Sequence, residues 1–329
     1  MINYWRTYCV VRKARRLERQ LDALPPSPGL SRRPELIQVA QSLKQSFLSN
    51  LESGSIDAVA RLYGRSLKKK ALPSLQAKHS KTRISSELAV ECLTELKKLF
   101  VQTRVRAFLM SGTFLGCVRE QRILAHDYDL DIGVNLSDAG LPGLLAALEK
   151  HPDFHIESKI QITNEVAMMN DWASGQAGKP WLLKVLFKGT IHADFFVHIS
   201  HQGESFHGSL SNLWVNSDFS LAPRAFYGLE FDAPENAEAY LAENYGDWRT
   251  PAKQFCCATD TPNSRALHTL NALRHLIKQH ILRGWLGDAR RQAILIERIH
   301  QTFEVGDGGR RAEVRQAWAA ASSTQLNSH

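Results

Sequence analysis

The stretch that decides the fold is FLMSGTFLGCVREQRILAHDYDLDIGV, residues 108–134. An apolar run ends in the tripeptide SGT at 111–113, and after a short connector three aspartates stand at alternate positions, Asp127, Asp129 and Asp131. Side chains two residues apart on a β-strand point to the same side. The alternation therefore predicts a strand with one acidic face and one apolar face.

Asp129 and Asp131 are interleaved with Leu130 and Ile132, which predicts a buried strand rather than a solvated turn. The two aspartates would project together, roughly 7 Å apart at the backbone. Two ionised carboxylates this close repel each other unless a cation or protons neutralise them. Mg²⁺ is held by one or two protein carboxylates together with water and phosphate oxygens. The pattern predicts a site for Mg²⁺ or Mn²⁺ that handles phosphate.

The SGT tripeptide is the second part of this prediction. Gly112 can bring the backbone close to a ligand, and Ser111, Thr113 and their amides can bind phosphate oxygens. Farther along, Arg119 has two interpretations, either a forked contact with phosphate or a salt bridge at the sheet edge.

Together these residues resemble the core motif of the LicD/fukutin family of nucleotidyltransferase-fold proteins, roughly SGTLLGxxRxxxxIxxxDxDxDIG. The chain departs from that motif at His126 and Tyr128, which flank the acidic strand. The matching positions are Ser111, Gly112, Thr113, Leu115, Gly116, Arg119, Ile123, Asp127, Asp129, Asp131 and Gly133.

Two later segments extend the resemblance to residue 251. Residues 181–198 read as two strands around a turn, and their Asp194-Phe195-Phe196 is similar to the family strand that supplies a third carboxylate. Residues 226–251 are similar to its closing motif. The resemblance implies an α+β fold, with a small nucleotidyltransferase-like mixed β-sheet flanked by helices and carrying N- and C-terminal helical extensions.

For the site, the resemblance implies that Asp129, Asp131 and Asp194 hold the metal, with Asp194 also a candidate base. Lys184, on the strand before Asp194, is a candidate nucleotide contact. Asp127 and His126 are predicted to support the ligands without binding the metal themselves.

The implied reaction transfers a phosphocholine, glycerol phosphate or ribitol phosphate group. The donor is CDP-linked, and the acceptor is a sugar hydroxyl of a surface polysaccharide or glycolipid. Two alternatives remain open: nucleotidyl transfer to nucleic acid or a small molecule, and a non-catalytic glycan- or lipid-binding scaffold. The sequence shows no RNA-binding motif, which argues against a nucleic-acid partner.

The composition is that of an ordinary globular protein, with 43% hydrophobic and 22% charged residues. Basic residues interrupt the N-terminus, so we expect no cleaved export signal, and no apolar run approaches the ~20 residues that span a bilayer. Five scattered cysteines favour neither a disulfide framework nor a zinc site. We expect a cytoplasmic protein.

The positive charge is concentrated at the N-terminus. Residues 1–80 hold 15 Lys+Arg against 5 Asp+Glu, a balance of +10, which leaves −2 of the total +8 for the rest. Residues 1–22 read as a basic helix, which either lies on the inner face of an anionic membrane or packs on its own domain.

The predicted organisation has a basic, mainly helical extension and linker over 1–82, a catalytic domain over 83–260 and a helical region over 261–329. Within it we expect a helix after Ser85, a strand over Val105–Met110, a helix capped by Ser137 and a helix from Arg265 onward.

Overall fold

The computed structural model describes residues 2–23, 33–52, 85–125, 127–252, 255–273, 275–276 and 289–301. Within them a mixed β-sheet is flanked by helices, which confirms the predicted α+β class. The helices of eight residues or more are α1 (Ile2–Asp22), α2 (Arg33–Glu52), α3 (Ser86–Thr103), α4 (Ser111–Arg119), α5 (Leu141–Lys150), α7 (Ala237–Tyr245) and α9 (Ala289–Gln301). Two shorter helices are α6 (Asn164–Met169) and α8 (Cys257–Asp260).

The described residues form a sheet of ten strands. They are β1 (Phe108–Leu109), β2 (Asp129–Asn135), β3 (Phe154–Gln161), β4 (Pro180–Phe187), β5 (Ile191–His201), β6 (Glu204–Gly208), β7 (Asn212–Ser217), β8 (Leu221–Phe226), β9 (Leu229–Pro234) and β10 (Ser264–Ala266). Their order is β10-β7-β6-β5-β2-β1-β9-β8, with β4 also paired to β5 and β3 to β4.

Strand β5 organises the sheet because it pairs with three others. Its first part lies parallel to β2 and antiparallel to β4, and its last residues, from Ile199 on, pair with β6. The apolar face of β2 is buried, with Leu130, Ile132 and Val134 fully inaccessible to solvent. Burying these side chains together with those of β5 supplies the hydrophobic free energy that holds the acidic face in place.

Helix α3 begins where the sequence predicts. Ser85 caps α3, and its hydroxyl accepts a hydrogen bond from the amide of Leu88. Helix α4 begins at Ser111, whose φ of 45° lies in the left-handed region, immediately after β1. A non-glycine residue in that region is strained, and such strain is concentrated at functional sites.

Two local predictions were wrong. Ser137 does not cap a helix, because its amide and hydroxyl both bond to Asn135 Oδ1, and α5 begins only at Leu141. The strand predicted over Val105–Met110 is limited to β1, because the amide of Arg106 is bound by the carboxylate of Asp138.

The sheet also extends beyond the strands that the sequence predicted. The helix expected from Arg265 is wrong at its start, since β10 occupies Ser264–Ala266 and pairs with β7, and the chain is helical only from Leu270. Residues 53–82 of the predicted extension and linker, and residues 302–329 of the predicted C-terminal helical region, lie outside the described residues.

The two terminal extensions pack together. Buried side chains of α1, α2 and α9 form one apolar cluster with Met168, Met169 and residues around Leu270. Helix α1 contributes Val11, Leu17 and Leu21, so its apolar face is covered by protein. Among the described residues, no helix is long and apolar enough to cross a membrane.

Candidate active site

The predicted carboxylates lie on one face of the sheet. Asp131 on β2 is the register partner of Asp194 on β5, and Asp194 is in turn opposite Lys184 on β4. Asp129 precedes Asp131 by two residues and so projects from the same face. The structure thus places Asp129, Asp131, Asp194 and Lys184 side by side across three strands.

The SGT tripeptide is tied directly to Asp131 by two hydrogen bonds. The Gly112 amide donates to Asp131 Oδ2 at 3.0 Å, and the Asp131 amide donates to the Thr113 hydroxyl at 2.8 Å. Thr113 is buried, so this hydrogen bond fixes the backbone of β2 at Asp131 from inside the protein. Ser111 is half-buried at the first position of α4, where a helix N-terminus favours anions.

Gly112 is required by the closeness of two carboxylates. A methyl group on its Cα would lie 2.9 Å from Asp127 Oδ2 and 3.4 Å from Asp131 Oδ2. The structure therefore brings Asp127 to the same side as the predicted ligands. His126 lies outside the described residues.

The electrostatics of this face disfavour further negative charge. Burial raises the pKa of Asp131 well above its ordinary value. The charges of Asp129, Asp127 and Asp194 raise this pKa further, in that order. Because these carboxylates repel one another, a nearby positive charge stabilises their ionised forms.

The protein itself supplies one positive charge next to these carboxylates. The Lys184 ammonium donates to Asp194 Oδ2. Desolvation alone would lower the pKa of Lys184, but Asp194, Asp129 and Asp131 outweigh it and raise this pKa overall. Lys184 is therefore a charged member of the site.

Arg119 is placed differently from the predicted phosphate contact. Its guanidinium donates to the carbonyl of Trp248 at 3.1 Å and to Glu120 at 3.0 Å, and its side chain is 12% exposed. It lies at the far end of α4, roughly 10 Å along the helix from Gly112. The structure does not bring it to the carboxylates, and its contact with Trp248 anchors the segment after α7.

Aromatic side chains border the carboxylates, and sequence reasoning missed most of them. Tyr128, Tyr240 and Tyr245 all have pKa values raised, mainly by burial and partly by the charge of Asp131. Such phenols stay protonated at neutral pH, so they can donate hydrogen bonds. Tyr240 and Tyr245 belong to the segment that resembles the closing motif, but they are more than 100 residues beyond the acidic strand, and the fold shows that they lie near it.

The oxygen-only donor set suits a hard cation such as Mg²⁺ or Mn²⁺, which these residues could share with substrate phosphates. In the part of the chain that the structure describes, no three His, Cys, Asp or Glu side chains are arranged to hold a metal unaided. A separate cavity of about 180 Å³, bordered by Glu18, Glu165 and Trp181 among others, includes none of the predicted site residues.

Comparison with known proteins agrees with this geometry. Residues 104–236 match the model of the family described as LicD/FKTN/FKRP, nucleotidyltransferase domain. This segment is therefore similar to the nucleotidyltransferase domain of the LicD/fukutin family. The matched segment contains SGT, the acidic strand, Lys184 and Asp194, and it ends before most of the closing motif that we expected to reach Pro251.

Similarity to this family favours a transferase of the kind that modifies glycans through phosphate groups. A stretch of 86 residues is 33% identical to the uncharacterized protein W02B3.4 of Caenorhabditis elegans. That stretch is 26% of this chain and 22% of the relative, so the chain spans about a fifth of that relative's length.

Replacing Gly112 with alanine should displace the Asp127 and Asp131 carboxylates without unfolding the domain. We expect a loss of transfer activity of about 100-fold, because a misplacement of ~1 Å in a site can cost this much. The matched control is Gly143→Ala, where the new methyl group would meet only Thr103, at 3.5 Å. Equal activity of both variants would contradict the close approach at Gly112.

Asp131→Asn should stabilise the protein in EDTA at pH 8, by roughly 1 kcal/mol or about 2–4 °C in Tm. The folded-state pKa of Asp131 is raised, so ionisation of this group costs stability as the pH rises above about 4, its unfolded value. The advantage should vanish near pH 4 and shrink when Mg²⁺ is added. A thermal-melt series from pH 4 to 8 measures this, and a variant that is less stable at pH 8 in EDTA would refute it.

Proposed function

We propose that the protein is a metal-dependent transferase of substituted phosphate. It moves a phospho-alcohol of the phosphocholine, glycerol phosphate or ribitol phosphate type from a CDP-linked donor to a sugar hydroxyl of a surface polysaccharide or glycolipid. The observation that carries this proposal is the in-register pair Asp131–Asp194, with the Gly112 amide bound to Asp131, inside the segment that matches the LicD/FKTN/FKRP model.

The chemical step exchanges a phosphoanhydride bond of the donor for a phosphodiester bond to the acceptor. The acceptor hydroxyl oxygen bonds to the phosphorus that carries the alcohol, the bond from that phosphorus to the bridging oxygen breaks, and CMP leaves. Such a transfer depends on positioning and on neutralising charge more than on covalent help from the protein. In this scheme Ser111 and the N-terminus of α4 would bind donor phosphate oxygens.

The carboxylates have two tasks in this scheme. Asp129 and Asp131, with Asp194 as the third candidate ligand, would hold Mg²⁺ or Mn²⁺, which neutralises charge on the diphosphate when bound. Asp194 is alternatively the base that accepts the proton of the acceptor hydroxyl. Asp127 is close enough to Gly112 to maintain the arrangement without binding the ion.

The transfer assay follows CMP release and acceptor mass with CDP-choline, CDP-glycerol and CDP-ribitol as donors. We expect a divalent cation to be required, EDTA to abolish transfer, and Asp131→Asn to lower it by about 10³-fold or more. Asp218→Asn, at an exposed position remote from the acidic strand in sequence, serves as the control.

The acceptor mass distinguishes the competing activities. An increase equal to the donor's phospho-alcohol supports the proposal, whereas an increase equal to a nucleotide monophosphate would establish nucleotidyl transfer instead. If the protein binds a donor but transfers nothing to any acceptor tested, the non-catalytic scaffold is favoured.

We also propose that the outer face of α1 contacts an anionic membrane surface. Because the apolar face of this helix is buried, the contact would be electrostatic and would not insert the helix. In the part of α1 whose side chains the structure describes, from residue 9 on, the exposed basic residues are Arg12, Lys13, Arg15, Arg16 and Arg19.

Charge reversal tests this contact better than deletion, since removing α1 would take away part of the apolar cluster. Arg12→Glu/Arg16→Glu should reduce the affinity for phosphatidylserine vesicles at low salt by about 30-fold or more, because each basic residue contributes ~1 kcal/mol at such a surface. Binding of CDP donors should be unchanged. Vesicle binding equal to that of the unmodified protein would exclude the membrane contact.

A further inference from the structure

Lys184 and Asp194 form an ion pair inside the proposed active site, and the backbone register builds that pair. The two residues are direct cross-strand partners on β4 and β5, and Lys184 Nζ donates to Asp194 Oδ2. Directly opposed side chains on neighbouring strands have Cβ atoms about 5 Å apart, within reach of such a contact. The Asp194 side chain is 7% exposed and that of Lys184 is 43% exposed, so the pair has one buried end and one accessible end.

The Lys184–Asp194 pair lies directly beside Asp131, at one end of the row of carboxylates. In two-metal phosphoryl-transfer sites the ions lie ~4 Å apart and are shared by carboxylates on neighbouring elements. Asp131 and Asp194 are neighbours of that kind, on adjacent parallel strands in register. The Lys184 ammonium group already binds one oxygen of Asp194. Asp129 and Asp131 remain as the carboxylates available to a metal ion.

The contacts of Lys184 suit a role as a fixed charge. The Lys184 side chain is 43% exposed, so its charge can face a bound phosphate while it remains paired with Asp194. A lysine ammonium carries three donors, of which Asp194 takes one. The others can donate to oxygens of the transferred phosphoryl group.

We propose that Lys184 takes the place of a second divalent cation, so that each chain binds a single ion at Asp129 and Asp131. The ammonium group neutralises Asp194 and contacts the transferred phosphate. This proposal rests on the proposed function, because it assigns a role within the same site.

Counting bound Mn²⁺ by electron paramagnetic resonance, with no donor present, tests this role. The unmodified chain should bind one ion, and Lys184→Met should bind a second ion or hold the first at least tenfold more tightly, because Asp194 is then left uncompensated. Lys184→Arg should keep one ion and most of the transfer activity, whereas Lys184→Met should lose about 100-fold in kcat, the scale of losing one charged stabiliser.

Lys188→Met is the matched control, since Lys188 lies on the neighbouring turn and pairs with Glu91 away from the carboxylates. It should bind one ion and keep full activity. Lys184→Gln provides a second neutral variant if the methionine variant does not fold, as judged by circular dichroism.

Two outcomes overturn the role of Lys184 alone: two ions on the unmodified chain, or neutral Lys184 variants that bind Mn²⁺ in the same number and with the same affinity as the unmodified chain. Absence of any Mn²⁺ binding to the unmodified chain would overturn this role together with the metal dependence of the proposed function. The ion count therefore tests the role of Lys184, and the transfer assay tests the proposed function.

Discussion

The repulsion between carboxylates that lie side by side on the sheet constrains the rest of the structure. The register of β2 with β5 places Asp131 beside Asp194, and strand alternation adds Asp129. This arrangement costs free energy, which the apolar residues of the opposite face offset by their burial in the core. The Gly112 amide and the Lys184 ammonium then compensate part of the charge. A divalent cation with a diphosphate would complete this compensation, so the features that strain the free protein also suit it for binding.

The elements around the carboxylates share this constraint. Helix α4 must begin directly after β1 for its first amides to face Asp131, and Ser111 adopts a left-handed backbone to allow this. Gly112 has no side chain because two carboxylates border it. Arg119 fixes the other end of α4 to the carbonyl of Trp248. The terminal extensions add a second apolar cluster at another part of the sheet and leave the basic face of α1 exposed.

The sequence alone predicted the local features and missed those that depend on distant pairing. The alternation in residues 127–134 predicted β2 and its acidic face, and Ser85 marked the start of α3. Strand β10 was taken for the start of a helix because leucines at helical spacing follow it directly, and only its pairing with β7 shows the difference. The hydrogen bond between Thr113 and the Asp131 amide and the register of Lys184 with Asp194 were equally invisible, since each joins separate elements. Arg119 has the residue type of a phosphate ligand, but its contacts in the structure are with Trp248 and Glu120.

The most direct test is to locate a bound ion on the protein. Crystals grown with Mn²⁺ and CDP, measured at a wavelength where manganese scatters anomalously, would show the ion independently of any assay. We predict one anomalous peak, at about 2.1–2.2 Å from carboxylate oxygens of Asp129 and Asp131. The peak should lie close to the Gly112 end of α4, and diphosphate oxygens should fill the remaining coordination positions. A peak elsewhere, or CDP bound away from this face with no ion beside Asp131, would contradict it.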